Sequence, residues 1–156
     1  MLATIQKSKF WKLCRFLKLK SRTIYTEDSP YLTRFYLLHK WRHVLPGVFI
    51  HYFWRGDGDR DLHNHPWKWS FSIILENGYV EERRKGKRIV MRRFKPGSIN
   101  IIRANDFHRV DLLDGKGTWS LFIAGPRAQS WGFWDRDKDE FYDHTEFFAR
   151  REALQT

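Results

Sequence analysis

Arg60-Asp61-Leu62-His63-Asn64-His65-Pro66-Trp67 sets two histidines at i and i+2, just ahead of an aromatic-rich stretch. If the segment is extended, side chains two apart point to one face, so both imidazoles can reach a single ion. A mononuclear site needs at least one more ligand from elsewhere. His108 is the best candidate, because it opens a strand after a tight loop. His51 is another, on a neighbouring strand a short loop upstream.

Outward from that segment the chain reads as short strands separated by turn residues. The candidates are Tyr31–Leu38, Val48–Trp54, Trp67–Leu75, Gly78–Arg84, Lys87–Phe94, Ser98–Arg103, Phe107–Leu113, Thr118–Ala124 and Trp131–Trp134. Pro46-Gly47, Asn77-Gly78, Lys85-Gly86, Pro96-Gly97 and Asp114-Gly115 are among the turns between them. Strands recurring about every ten residues predict a sandwich or barrel. In Thr118–Ala124, Trp119, Leu121 and Ile123 alternate with Thr118, Ser120 and Phe122, which predicts a strand with one core face.

Ahead of the strands, Gln6–Lys20 reads as a helix. Phe10, Leu13, Cys14 and Leu17 form an apolar stripe, and Lys9, Lys12, Arg15 and Lys18 lie on the other side. The acidic tail predicts a short helix near Glu146–Ala153. The organisation expected is a basic amphipathic helix and connector over 1–30, a barrel over 31–148 and a tail over 149–156.

At 156 residues the chain fits one domain, and 17% aromatic residues give it the means to fill a core. Its net charge is +11, with seven cations and no acid in residues 1–22. Arg83, Arg84, Lys85, Lys87, Arg88, Arg92 and Arg93 form a second cluster, offset by Glu81 and Glu82. Such charge favours polyanions, so a nucleic acid or an anionic membrane surface is a candidate partner through Lys7, Lys9, Lys12, Arg15 and Lys18. Cys14 is the one cysteine, which rules out an intrachain disulfide and a thiolate metal cage. No continuous apolar run resembles a secretory signal or could span a bilayer, and the cytoplasm is the expected compartment.

Gly97, Arg103, Asn105 and His108 reproduce the spacing of the second cupin motif, and His63-Asn64-His65 followed by Gly78 follows the first. The chain resembles the cupin superfamily, and within it an uncharacterised cupin-like group of bacterial and phage proteins. His51, Asp61 to Trp67, Gly78-Tyr79, Phe107 to Val110, Gly125-Pro126 and Trp131 to Phe133 carry the likeness. It implies an all-β fold, the double-stranded β-helix or jelly-roll barrel, behind the N-terminal basic helix, and pairing through sheet edges as a homodimer. The glutamate that the first motif places four or five residues after its second histidine is replaced by Trp69 and Ser70. His63, His65 and His108 remain as the implied ligands. Resemblance to three-histidine cupins such as thiol dioxygenases implies iron(II), in preference to zinc, nickel or manganese, although zinc also accepts three histidines.

The leading functional reading is a small metal-dependent enzyme, dioxygenase-like, acting on a small polar or anionic molecule in the barrel. Glu76 and Arg103 are the catalytic candidates, and His51, Trp67 and Arg109 the candidates for a substrate pocket. The alternatives are a non-catalytic nucleotide- or sugar-binding module and a nucleic-acid-associated accessory protein that uses its basic surface.

Overall fold

Twelve short strands carry the architecture of the described residues. A computed structural model describes residues 8–26, 29–38, 46–58 and 61–153, so Lys7 and Arg60 lie outside the described residues. The strands are β1 (Ser21–Thr26), β2 (Ser29–Leu38), β3 (Gly47–Phe53), β4 (Leu62–His63), β5 (Trp69–Glu76), β6 (Tyr79–Lys85), β7 (Arg88–Phe94), β8 (Ile99–Arg103), β9 (His108–Leu112), β10 (Thr118–Ala124), β11 (Gly132–Asp135) and β12 (Glu140–Asp143). They pair into two six-stranded sheets, ordered β1-β2-β3-β10-β5-β8 and β12-β11-β4-β9-β6-β7. Every pairing between strands is antiparallel. The expected barrel is therefore two open sheets, and closure into one continuous sheet is not part of the described pairing.

Successive residues of a strand face opposite ways, so each strand of the first sheet has an inner and an outer row. Leu32, Arg34 and Tyr36 of β2, His51 and Phe53 of β3, and Phe122 of β10 point inward and line a cavity of about 750 Å³. The outer row of the same strands is also covered. Phe35, Ile50 and Trp119 form a buried cluster with Cys14 and Trp54. Thr118–Ala124 thus has two buried faces at its Trp119 end, where one was expected, because α1 (Lys9–Phe16) lies over the outer one.

The helix α1 starts at Ser8, whose Oγ accepts from the Phe10 backbone N–H at 3.2 Å, a standard N-cap. The Ser8 hydroxyl also donates to Glu76 Oε2 at 3.3 Å, which ties the cap to the end of β5. The helix stops at Phe16 because Lys18 takes a left-handed φ of 50°, turning the chain into β1. Its buried contacts are Phe10, Trp11 and Cys14; Leu13 and Leu17, expected in the apolar stripe, are exposed. The first sheet begins at residue 21, ahead of the expected barrel start. At the other end α2 (His144–Ala153) packs on the second sheet, with Phe147 stacked on Phe133 at 3.9 Å between ring centroids. No described helix is long and apolar enough to cross a membrane.

The hairpin from β6 to β7 is less solvated than its charge implies. Tyr79, Glu81 and Arg83 share the inner face of β6 and are all buried. Arg83, counted in the second cluster of cations, is only 4% exposed. At the start of this hairpin Gly78 has φ of 147°, and a Cβ there would lie 2.3 Å from the Phe94 carbonyl oxygen. Only glycine tolerates both.

Candidate metal centre

The second sheet brings two of the histidines side by side. His63 of β4 pairs directly with His108 of β9, so their side chains stand on one face. His65 follows two residues after His63, and its backbone is held from the opposite loop. Gln129 Nε2 donates to the His65 carbonyl at 3.2 Å and to the Ala104 carbonyl at 2.6 Å, and Ala128 N–H donates to the Pro66 carbonyl at 2.8 Å. Asn64, between the histidines, turns away and is buried. Its Oδ1 accepts from Gly132 N–H at 2.8 Å while its own N–H donates to the Gly132 carbonyl at 3.1 Å, fastening the segment to β11.

The three rings form a near-equilateral triangle. Their centroids are 4.8 Å apart for His63–His108, 5.0 Å for His65–His108 and 5.2 Å for His63–His65. One nitrogen from each lies within 4.8 Å of the others. Nε2 of His65 and Nε2 of His108 are 2.9 Å apart, a span that two metal–nitrogen bonds of about 2.1 Å bridge at close to a right angle. The donor set fits a divalent transition ion.

The remaining nitrogens have carboxylates behind them. His108 Nδ1 is 2.7 Å from Glu81 Oε1. A hydrogen bond to a carboxylate there puts the proton on Nδ1 and leaves the Nε2 lone pair facing the other histidines. Glu81 is fully buried and also accepts from Arg83 NH2 at 2.7 Å and Asn100 Nδ2 at 2.8 Å. Burial opposes its ionisation, but the hydrogen bond and charge of His108, with those from Arg83 and Asn100, outweigh it and hold the carboxyl at about 2. His63 Nδ1 is 3.6 Å from Asp57 Oδ2, a charge contact longer than a hydrogen bond. Asp57 is itself fixed by Val110 N–H, which donates to the same oxygen at 2.7 Å, and by the Tyr31 hydroxyl.

Burial keeps the His63 and His65 imidazoles neutral. It lowers His63 to about 4, with Asp57 pulling the other way, and drops His65 well below its ordinary value. Neutral imidazole is the form that binds metal. The same shifts make acid destabilising. With no metal added, the unfolded chain takes up protons near pH 6.5 while the folded His63 does not until about 4. Stability is then lost as pH falls through that window, by on the order of 3 kcal/mol from His63 alone by its lower end. Urea unfolding at pH 7.5, 6 and 5 checks this. A midpoint that stays level from pH 7.5 to 5 contradicts it. The Glu81 contribution runs the same way, but at lower pH, below about 4.5.

The other sequence candidates lie at varied distances from the cluster. His51 is buried in the cavity wall, stacked on Phe122 at 4.9 Å between centroids, but it is not in the group of convergent ligand atoms. Its Nε2 accepts from Arg34 Nε at 3.0 Å, so that lone pair is occupied. Trp67 lines the cavity, its ring near-parallel to His65 at 5.5 Å. Arg109 alternates with His108 to the opposite face, 4.0 Å from Glu82. Glu76 is engaged by Ser8 under α1, and Arg103 is exposed where β8 pairs with Trp69. Neither reaches the cavity lining. The Asp61 carboxylate accepts from the Arg136 N–H at 3.4 Å.

Glu81, Asp57, Arg34 and Asn100 were not singled out in the sequence. Glu81 and Arg83 were hidden in Glu81-Glu82-Arg83-Arg84, which reads as a solvated charge run. The period of two was the available signal, since Tyr79, Glu81 and Arg83 share one face of a strand.

No protein-family model matches the sequence, and a search of curated proteins gives no match. Solved structures do match. Streptomyces albus HEPD, solved with 2-hydroxyethylphosphonate and Fe(II) bound, superposes with a TM-score of 0.57 at 14% identity, covering 72% of this chain and 25% of that one. Hydroxypropylphosphonic acid epoxidase from S. wedmorenis gives 0.52 at 13% identity, covering 68% and 55%. An uncharacterised conserved protein with a double-stranded β-helix domain from Klebsiella pneumoniae gives 0.52 at 13%, covering 71% and 89%. The fold is that of the double-stranded β-helix. This chain spans little more than half of the epoxidase and a quarter of HEPD, and at these identities the likeness is one of fold.

Proposed function

We propose that this protein is a metal-dependent enzyme, an Fe(II) oxygenase of the three-histidine kind, acting on a small polar molecule taken into the cavity. The observation that carries this reading is the convergence of His63, His65 and His108 in the wall of that cavity. Two neighbours in fold add support, one solved with Fe(II) and its substrate and the other an epoxidase by name.

When bound, iron(II) supplies Lewis acidity and a centre for activating oxygen, with positions left open beside three protein ligands. His63, His65 and His108 would hold it. Glu81 fixes the His108 ring and raises its basicity, and Asp57 does the same more weakly for His63. Trp67 and Phe122 wall the ligand face with apolar surface and limit water there. The basic residues Lys9, Lys12, Arg15 and Lys18 are all exposed on and just after α1, where they would meet any polyanion or anionic membrane without obstructing the cavity.

The test is elemental analysis of the untagged full chain prepared anaerobically and reconstituted with Fe(II). Near-equimolar iron is expected in the wild type and its loss in His63→Ala and His108→Ala, both still folded by circular dichroism. Absence of any transition metal near one equivalent after reconstitution overturns the proposal in favour of a non-catalytic binding module. Zinc, nickel or manganese retained in preference to iron would replace the oxygenase assignment with another metal chemistry.

A further inference from the structure

Arg22, Arg34 and Arg127 line the cavity, and among the described residues no aspartate or glutamate does. The carboxylates of Asp57 and Glu81 sit behind the histidines. The buried cation Arg83 is matched by Glu81 and Asp106. Arg34 differs. Among the described residues its contacts are His51 Nε2, the Phe49 ring 4.9 Å from its guanidinium carbon, and the Tyr36 side chain, none of them a carboxylate.

Its neighbour across the strand pair is another cation, Arg22, in register on β1. Continuing across the sheet, Arg34 pairs with His51 and His51 with Ser120, so one row of the inner face runs Arg22, Arg34, His51, Ser120. The Ser120 Oγ is buried with no hydrogen-bond partner among the described residues. Burial disfavours the charged form of Arg34, the Tyr36 side chain offsets part of that, and the Arg22 charge adds to it. A desolvated guanidinium beside a like charge is costly unless an anion joins it. His51 engages Nε and sets the plane of the guanidinium, which suits the forked recognition of a carboxylate or phosphoryl group.

We propose that Arg34, backed by Arg22, is the seat for the anionic group of a small molecule whose other end faces His63, His65 and His108. Phe122 stands between the two ends, stacked on His51 and 6.2 Å from His65 between centroids, so one compact bifunctional molecule would span them. The second half of this inference rests on the metal-centre reading; the anion seat itself does not.

The experiment therefore begins on the metal-free full chain. Inorganic phosphate and acetate are titrated separately at low ionic strength, with sodium chloride as the control. The readouts are tryptophan fluorescence and the anion-induced rise in Tm. The wild type is expected to respond to at least one of the two anions. Arg34→Gln should weaken that binding about tenfold or more, as loss of a charge-assisted pair implies, and Arg22→Gln by less. Arg34→Lys keeps the charge but not the fork, and should bind better than Arg34→Gln but below wild type. Phosphate alone assigns a phosphoryl seat, acetate alone a carboxylate seat. No response beyond chloride in the wild type, or an Arg34→Gln protein that responds as the wild type does, overturns the seat. Iron bound without anion binding removes the seat and leaves the metal centre. Anion binding without iron does the reverse.

Discussion

Glu81→Ala is expected to destabilise the folded protein by about 3–5 kcal/mol, the range for breaking a buried ion pair from one side. The carboxylate is completely buried and receives three hydrogen bonds on Oε1, from His108, Arg83 and Asn100. Alanine removes an acceptor from all three donors and leaves His108 Nδ1 with none of its own among the described residues. Arg83 is the costly one, because its guanidinium is only 4% exposed. It retains Asp106 at 3.1 Å, the Ile101 carbonyl at 2.9 Å and Asn100 Oδ1 at 2.7 Å, which holds the loss toward the lower end of the range. Glu81→Gln separates stability from the metal. An amide keeps the shape and an acceptor for Arg83, so most stability should survive. It withdraws the negative charge behind His108, and metal affinity should fall 10–100-fold. Urea unfolding of both variants, with metal titration of the glutamine one, checks the pair. A glutamine variant that binds metal as tightly as wild type would show that Glu81 is only structural.

How much of this could be seen in the sequence depends on where the information sat. The strands with turn residues on both sides were legible, and Thr118–Ala124 was placed to the residue. Three strands were not. The two-residue β4 is too short to show a period, β12 is built from acidic tail residues, and β1 was absorbed into the connector. Burial of the charges could not be read from local pattern at all. Glu81-Glu82-Arg83-Arg84 has the same composition whether two or four of its charges face water, and only the second sheet decides. The histidines were legible because i, i+2 on a strand fixes a common face. Their carboxylate partners were not, since Asp57 and Glu81 come from a loop and a strand with no fixed spacing to them. The resemblance to cupins directed attention to positions 69 and 70, where Trp69 and Ser70 stand, while the nearby carboxylate came from the next strand.

Trp119→Ala tests whether the aromatic layer beneath α1 is what fixes that helix. Trp119 is 1% exposed, with ring centroids of Tyr52 at 4.8 Å, Phe10 at 5.8 Å and Phe35 at 5.9 Å. Its removal leaves a cavity that neighbours on a rigid sheet cannot fill, at a cost of about 3–5 kcal/mol. Phe16 on the same helix supplies the contrast: it is 83% exposed, and Phe16→Ala should change stability by about 0.5 kcal/mol or less. The tryptophan loss should also appear locally. An eight-residue helix has little stability of its own, so without Trp119 beneath Phe10 it should detach, and its Lys9, Lys12 and Arg15 bonds become the first sites of trypsin cleavage. Cleavage no faster there than in the wild type would mean that Trp11 and Cys14 hold the helix without it. The histidines lie beyond the opposite face of β10, where Ser120 and Phe122 point, so the folded fraction of Trp119→Ala should bind iron as the wild type does.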